Sequence, residues 1–163
     1  MNILIVEDTP MMGKAIEEVL IAQGHQVSWV LGASSLEPLV FIQPDKSESS
    51  LDLSSFDLAF CDGQLLGNFS GPQITEVLSA AGICTVGIST EMELNQSMTE
   101  KGACAGFNKG LFFLGLFGKA IEPRAVLSQP HTVQGLEASL KALAQNSALR
   151  KAADQVIMKY LND

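Results

Sequence analysis

Five polar residues that follow short apolar segments form the most informative pattern in this sequence. Glu7 and Asp8 follow the first such segment, Asp62 and Ser89 follow two later ones, and Lys109 follows the last. Because ligands collect at the carboxyl ends of the strands in an open parallel sheet, we expect these side chains to meet at one edge. Three acidic groups, one hydroxyl and one amine in the same place would suit a metal-assisted phosphoryl acceptor.

Each of these side chains has a chemical part in such a reaction. An aspartate such as Asp62 can act as a nucleophile towards a phosphoryl group and form an acyl phosphate. Glu7 and Asp8 offer the oxygen ligands that Mg²⁺ prefers. Lys109 can neutralise charge on the phosphoryl group or on the carboxylate, and Ser89 can donate a hydrogen bond to a phosphoryl oxygen. Alone, each residue has a simpler explanation as a cap, a turn residue or a solvated side chain; their co-occurrence favours a site.

The elements that must position these residues alternate between strand and helix patterns, which is typical of a parallel sheet. Apolar runs predict strands, and capped amphipathic segments predict helices between them. The predicted strands are 3–6, 26–30, 58–61, 83–88 and 105–108, and the predicted helices begin near residues 10, 34, 70 and 91. The second of these helices spans 34–42 and precedes a polar loop over 43–55. We therefore expect an α/β, flavodoxin-like, doubly wound five-stranded parallel sheet in the order 2-1-3-4-5, with helices on both faces and an extra C-terminal helix.

The composition limits the classes of protein that remain. The chain has 163 residues, 47% of them hydrophobic, and a net charge of −8. Residues 1–118 carry a charge of −10 and residues 119–163 a charge of +2, so nucleic acid is not expected as a partner. The sequence has no apolar run long enough to span a bilayer and no signal-peptide pattern, from which we expect a cytoplasmic protein without a membrane partner.

The three cysteines, Cys61, Cys84 and Cys104, fall in apolar stretches without metal-ligand spacing. Such cysteines are usually reduced core residues, and we interpret all three in this way.

Four segments of the chain resemble the receiver domain of two-component response regulators: ILIVED, FDLAFCD, TVGIST and GACAGFNK. The resemblance covers about residues 1–110. It implies that Asp62 is the phosphoacceptor, that Ser89 is the switch hydroxyl, and that Lys109 pairs with the phosphoryl group. It further implies a Mg²⁺ site formed by Asp8, Asp62 and the backbone carbonyl of Gln64, with Glu7 acting through metal-bound water.

The same resemblance implies the partner. The phosphoryl donor would be a phosphohistidine on a sensor histidine kinase or a histidine phosphotransfer protein. The chain would be a phosphoacceptor and not an enzyme, although self-dephosphorylation is compatible with Gln64 and Glu91, which occupy the positions that tune hydrolysis in this family. A phosphohydrolase of the haloacid dehalogenase type is disfavoured, because Gln64 stands where its general-acid aspartate is required.

Three positions depart from the receiver pattern. Gly106 stands where an aromatic switch residue is usual, and Thr90 where Ala or Gly is usual. Gly110 stands where receivers have proline, so the cis peptide usual at that point is not expected. These departures motivate an alternative interpretation, a receiver-like interaction module that works without phosphorylation.

The chain beyond Lys109 is the largest departure. We predict a receiver domain over 1–145 with an insertion at about 110–130, and a C-terminal helical extension over 146–163. The apolar segment LFFLGLF, residues 111–117, has two interpretations: an additional core helix, or a surface for a partner or a second subunit. The last helix has the same ambiguity, and we expect a homodimer through these C-terminal segments.

Overall fold

The computed structural model describes residues 1–117, together with residues 123, 124, 151 and 155. Strands and α-helices alternate along this part of the chain, except that three short strands and a 3-10 helix (Leu53–Ser55) lie between the second and third strands of the parallel sheet. The elements in chain order are β1 (Asn2–Val6), α1 (Pro10–Ala22), β2 (Gln26–Val30), β3 (Gly32–Leu36), β4 (Leu39–Ile42), β5 (Glu48–Ser49), β6 (Leu58–Asp62), α2 (Gly71–Ala80), β7 (Cys84–Ser89), α3 (Met92–Glu100), β8 (Ala105–Asn108) and α4 (Lys109–Phe117).

The main sheet has five parallel strands in the order β2-β1-β6-β7-β8. This order confirms the predicted order 2-1-3-4-5 and the flavodoxin-like class. β1 lies inside the sheet, with Ile3 opposite Val27 on one side and Leu58 on the other. Ile3, Leu4, Ile5 and Val6 are almost completely buried, as a strand covered on both faces requires.

One face of this sheet is covered by α1 and α4. Ile16 and Leu20 of α1 pack in the same cluster as Phe112 and Leu116 of α4. The Phe112 ring lies 5.0 Å from the ring of Phe60 in β6, centroid to centroid. The segment LFFLGLF therefore contributes a core helix, in agreement with the first of its two interpretations.

α4 begins at Lys109, directly after β8, so the described first part of the predicted insertion at about 110–130 is helical. The insertion and the domain boundary at residue 145 stay predictions. Residues 118–122 and 125–130 lie outside the described residues, as does the predicted extension over 146–163 apart from residues 151 and 155, so the predicted homodimer contacts are not tested. Within the described part of the chain, none of the helices combines the length and the apolar composition needed to cross a membrane.

The predicted helix over 34–42 is wrong. This segment forms β3 and β4, which pair antiparallel, and β5 adds a third strand at the β4 edge. Pro38 would have interrupted a helix, and the run Val40-Phe41-Ile42 has the β-branched and aromatic character of a strand. Phe41 is completely buried in the cluster that contains Ile74 of α2. The small sheet thus supplies apolar cover on the second face, where a helix was expected.

The rest of the second face is covered by α2 and α3. The side chain of Met98 in α3 lies directly over Gly87 of β7, where an added Cβ would come within 2.6 Å of the methionine Cε. A Cβ added at Gly63, just after β6, would lie 3.1 Å from the same Cε atom. Because these positions are glycines, α3 lies close to the carboxyl ends of the strands.

Candidate functional site

The fold brings the predicted polar residues to one edge of the main sheet. Glu7 and Asp8 follow β1, Asp62 ends β6, Ser89 ends β7, and Lys109 follows β8. These four strands are consecutive neighbours in the sheet. Their carboxyl ends therefore converge, as the sequence pattern predicts.

Lys109 is the electrostatic centre of the site. Its Nζ lies 2.7 Å from Oδ2 of Asp62 and 2.9 Å from Oε2 of Glu7. The Glu7 and Asp62 side chains are only 3% and 5% exposed, and the lysine side chain 17%. One ammonium group thus binds two buried carboxylates, where solvent screens the interaction weakly.

Asp8 adds a third carboxylate to this group. Carboxylate oxygens of Glu7, Asp8 and Asp62 all lie within 4.8 Å of one another. With Lys109 the four side chains carry a formal charge of −2, which a divalent cation would neutralise. The donor set consists of hard oxygen atoms, which fits Mg²⁺. Glu7, Asp8 and Asp62 are therefore the described residues that could hold this ion.

The loop after β6 is attached to this cluster by its backbone. The N–H of Gln64 donates to Oδ1 of Asp62 at 3.4 Å, a long hydrogen bond, and the N–H of Leu66 donates to Oδ2 of Asp8. The role of the Gln64 carbonyl as a metal ligand remains a prediction.

Burial and neighbouring charges shift the pKa values of Glu7, Asp62 and Lys109, the three groups that are in contact. Burial raises the pKa of Glu7, and the neighbouring Asp62 raises it further. Burial also raises the pKa of Asp62, which the hydrogen bond from Lys109 lowers in part. Burial disfavours the charged form of Lys109, but the hydrogen bonds and charges of Asp62 and Glu7 outweigh it and raise the lysine pKa. The carboxylates therefore carry a charge that one lysine does not fully compensate, and a bound cation would relieve this excess.

Ser89 is buried next to the acidic group. Its Oγ accepts a hydrogen bond of 3.1 Å from the N–H of Glu91, just before α3. A hydroxyl that accepts in this way still has a proton to donate. Thr90, the next residue, is exposed.

Asn95 is a residue of the site that the sequence did not reveal. Its Nδ2 donates to the carbonyl of Ser89 at 3.0 Å and to the carbonyl of Phe107 at 2.8 Å, so α3 is tied to the ends of β7 and β8. Its Oδ1 is buried without a hydrogen-bond partner. A Cβ at Gly106 would lie 2.9 Å from both the Cβ and the backbone oxygen of Asn95. The glycine at the aromatic switch position is therefore needed for the close approach of α3.

Trp29 is a second supporting residue that was missed. Its Nε1 donates to the backbone carbonyl of Glu7 at 2.8 Å. The indole lies against α1 at Gly13, where any side chain would overlap the ring. A large aromatic residue near the end of β2 was the only sequence signal, and it did not indicate which atom the indole would contact.

Gly110, the third departure, occupies the first turn of α4. The cis peptide bond among the described residues is Glu37–Pro38, and Lys109–Gly110 is trans, as expected without proline. An added Cβ at Gly110 would meet only Oδ1 of Asn108, at 3.4 Å. Close packing therefore requires glycine at position 106 but not at position 110.

Comparison with solved structures identifies the fold class. A CheY-like response regulator receiver domain protein from Methanospirillum hungatei JF-1 is 17% identical, with a TM-score of 0.52 over 86% of this chain and 96% of that chain. The HemR receiver domain from Leptospira biflexa is 20% identical, with a TM-score of 0.55 over 78% and 94% of the two chains. A two-component response regulator from Clostridium difficile is 14% identical, with a TM-score of 0.58 over 80% and 98%.

The chain therefore has the fold of response regulator receiver domains. The sequence itself matches no family model and no curated protein. At these identities the likeness establishes the fold, and the chemistry must be argued from the residues of the site.

Proposed function

We propose that this chain is a phosphorylatable receiver of a two-component system. Asp62 would accept a phosphoryl group from a phosphohistidine on a sensor histidine kinase or a histidine phosphotransfer protein. The observation that carries this proposal is the position of Lys109, 2.7 Å from Asp62 and 2.9 Å from Glu7, beside the third carboxylate of Asp8.

The contacts suggest how the nucleophile is prepared. Lys109 holds Oδ2 of Asp62, and the N–H of Gln64 approaches Oδ1, so the carboxylate has a defined orientation. In the transfer, an Asp62 oxygen would form a bond to phosphorus while the bond from phosphorus to the donor nitrogen breaks. Lys109 could then pair with the transferred group, and Ser89 could donate its hydroxyl proton to a phosphoryl oxygen.

The charge of the site supports a requirement for Mg²⁺. A phosphoryl group brings further negative charge to a cluster that already carries three carboxylates and one ammonium group. Mg²⁺, held by Asp8 and Asp62 with Glu7 nearby, would supply the neutralising charge when it is bound. A cytoplasmic location and signalling through protein contacts belong to the same proposal.

The decisive experiment is the intact mass of the full chain after incubation with phosphoramidate or acetyl phosphate, with and without Mg²⁺. We expect a Mg²⁺-dependent gain of one phosphoryl group in the natural sequence and no gain in Asp62→Asn. Asp57→Asn is the matched control, because Asp57 precedes the same strand at its opposite end and, among the described residues, its carboxylate accepts a hydrogen bond only from the N–H of Asn2 at the start of β1. Phosphorylation of Asp62→Asn to the natural level would disprove the assignment.

A second candidate function is a receiver-like module that binds a partner without phosphorylation. The observation that favours it is the packing at Gly106, where Asn95 leaves no space for an aromatic switch residue. This function predicts no Mg²⁺ binding at millimolar concentration and no mass gain from either a small phosphodonor or a phosphohistidine donor.

The predicted homodimer through the C-terminal segments is tested independently of phosphorylation. Light scattering on the full chain, before and after treatment with the phosphodonor, measures its oligomeric state. A mass of one chain in both conditions would contradict the prediction.

A further inference from the structure

Two cysteines that are distant in sequence lie side by side in the structure. Cys84 is the first residue of β7, and Cys104 directly precedes β8. Their Sγ atoms are 2.7 Å apart, and the N–H of Cys104 donates to the carbonyl of Thr85 at 2.8 Å. Both are half-buried, whereas Cys61 is buried. All three thiols are free, as predicted, but a fully buried core position is confirmed only for Cys61, while Cys84 packs at the border of the core cluster.

The pair lies apart from the site proposed for phosphorylation. Cys84 and Cys104 are at the amino ends of β7 and β8, while Ser89 and Lys109 are at the carboxyl ends of the same strands. No step of the proposed phosphoryl transfer uses a thiol. The pair therefore needs an explanation of its own.

The chemistry of the pair is asymmetric. The thiol of Cys84 donates a hydrogen bond to the sulfur of Cys104. That bond stabilises a thiolate at Cys104 and lowers its pKa, while the same bond and burial raise the pKa of Cys84. The thiolate is the nucleophilic form of cysteine, so Cys104 would react first and Cys84 would follow.

The geometry requires little movement to join the two sulfur atoms. A disulfide has an S–S distance of about 2.0 Å. The observed separation of 2.7 Å is shorter than an ordinary contact between two thiols and about 0.7 Å longer than that bond. Because neither cysteine residue is fully buried, we expect a small oxidant to reach the pair from solvent.

We propose that Cys84 and Cys104 form a redox-sensitive thiol pair that a hydroperoxide converts into an intrachain disulfide. The Cys104 thiolate would attack one peroxide oxygen, break the O–O bond and become a sulfenic acid, and with one proton the other oxygen leaves as water or an alcohol. The Cys84 sulfur would then attack the Cys104 sulfur, form the S–S bond and release the hydroxyl with the Cys84 proton as water. The two thiols together lose two electrons, which reduce the peroxide.

The test is the intact mass of the full chain after treatment with hydrogen peroxide, followed by alkylation of the remaining thiols under denaturing conditions. The reaction should remove two hydrogen atoms and leave one alkylated cysteine, Cys61. Peptide mapping without reduction should show Cys84 linked to Cys104, non-reducing electrophoresis should show a single chain, and dithiothreitol should restore three alkylated cysteines.

Single substitutions provide the controls. In the Cys84→Ser variant the reaction should stop at a Cys104 sulfenic acid, which a sulfenic-acid reagent labels. The Cys104→Ser variant should not be labelled. Cys61→Ser should still form the disulfide. The proposal is overturned if the natural chain gains oxygen without losing hydrogen, if the disulfides formed join two chains, or if all three thiols remain alkylatable. Since no step involves Asp62, the outcome is independent of the phosphorylation assay.

Discussion

Replacing Lys109 with methionine should destabilise the fold in a way that depends on pH. The substitution keeps much of the side-chain volume but leaves Glu7 and Asp62, which are 3% and 5% exposed, without their shared cation. Removing one partner of a buried ion pair costs about 3–5 kcal/mol, and we expect a loss of this size in the free energy of unfolding at about pH 8.

The sign of the pH dependence follows from the raised pKa values of Glu7 and Asp62. Without Lys109 these values rise further, so the folded variant holds more protons than the unfolded chain once the pH exceeds the unfolded-state pKa values of the two groups. Its stability should therefore fall as the pH rises, by about 1.4 kcal/mol per pH unit for each extra proton held. Below the unfolded-state pKa values of the two carboxyl groups, the difference from the natural chain should almost vanish.

Urea unfolding, followed by circular dichroism between about pH 5 and pH 8, measures both effects. Lys101→Met is the matched control, because the Lys101–Glu76 ion pair has the same 2.9 Å separation but side chains that are 44% and 58% exposed. It should cost at most about 1 kcal/mol, without a comparable pH dependence. Equal and pH-independent losses in the two variants would refute the electrostatic account of the site.

Three further predictions concern the neighbours of the acidic group. Gly106→Ala should lower the free energy of unfolding by about 1–3 kcal/mol in urea, because the added Cβ would press on Asn95. Gly110→Ala should leave this free energy unchanged or raise it by up to about 1 kcal/mol, because alanine favours a helix. Equal effects of the two substitutions would contradict the packing argument. Trp29→Phe should lower the free energy of unfolding by about 1 kcal/mol, because the indole hydrogen bond to the Glu7 carbonyl is lost. It should also weaken Mg²⁺ binding measured by calorimetry. An unchanged Mg²⁺ affinity would show that the indole does not support the site. Asp8→Asn should abolish the rise in melting temperature that Mg²⁺ gives the natural chain, and a retained rise would place the ion elsewhere.

The sequence was sufficient to predict the main sheet and the acidic site. Buried parallel strands are continuous apolar runs, and polar residues at their carboxyl ends meet once the strand order is known. Segment 34–42 forms two strands instead of the predicted helix, because a short apolar run does not distinguish strand from helix and Pro38 disfavours a helix.

The supporting contacts could not be predicted, because each joins residues that are distant in sequence. Asn95 reaches Phe107 and Trp29 reaches Glu7 only after helices and strands have packed. Likewise, no spacing rule indicates that Cys84 and Cys104 face each other. Such contacts depend on the depth at which a helix lies on the sheet, which the glycines at the interface determine.

The hydrogen bond of Trp29 gives the chain an intrinsic optical probe. It is the only tryptophan in the sequence, and its indole N–H is bonded to the backbone of a residue in the acidic cluster. Indole emission responds to the polarity and hydrogen bonding around the ring, so selective excitation of this residue would report on one place in the protein. Occupancy of the acidic edge could thus be followed in real time, without a label and without altering any side chain.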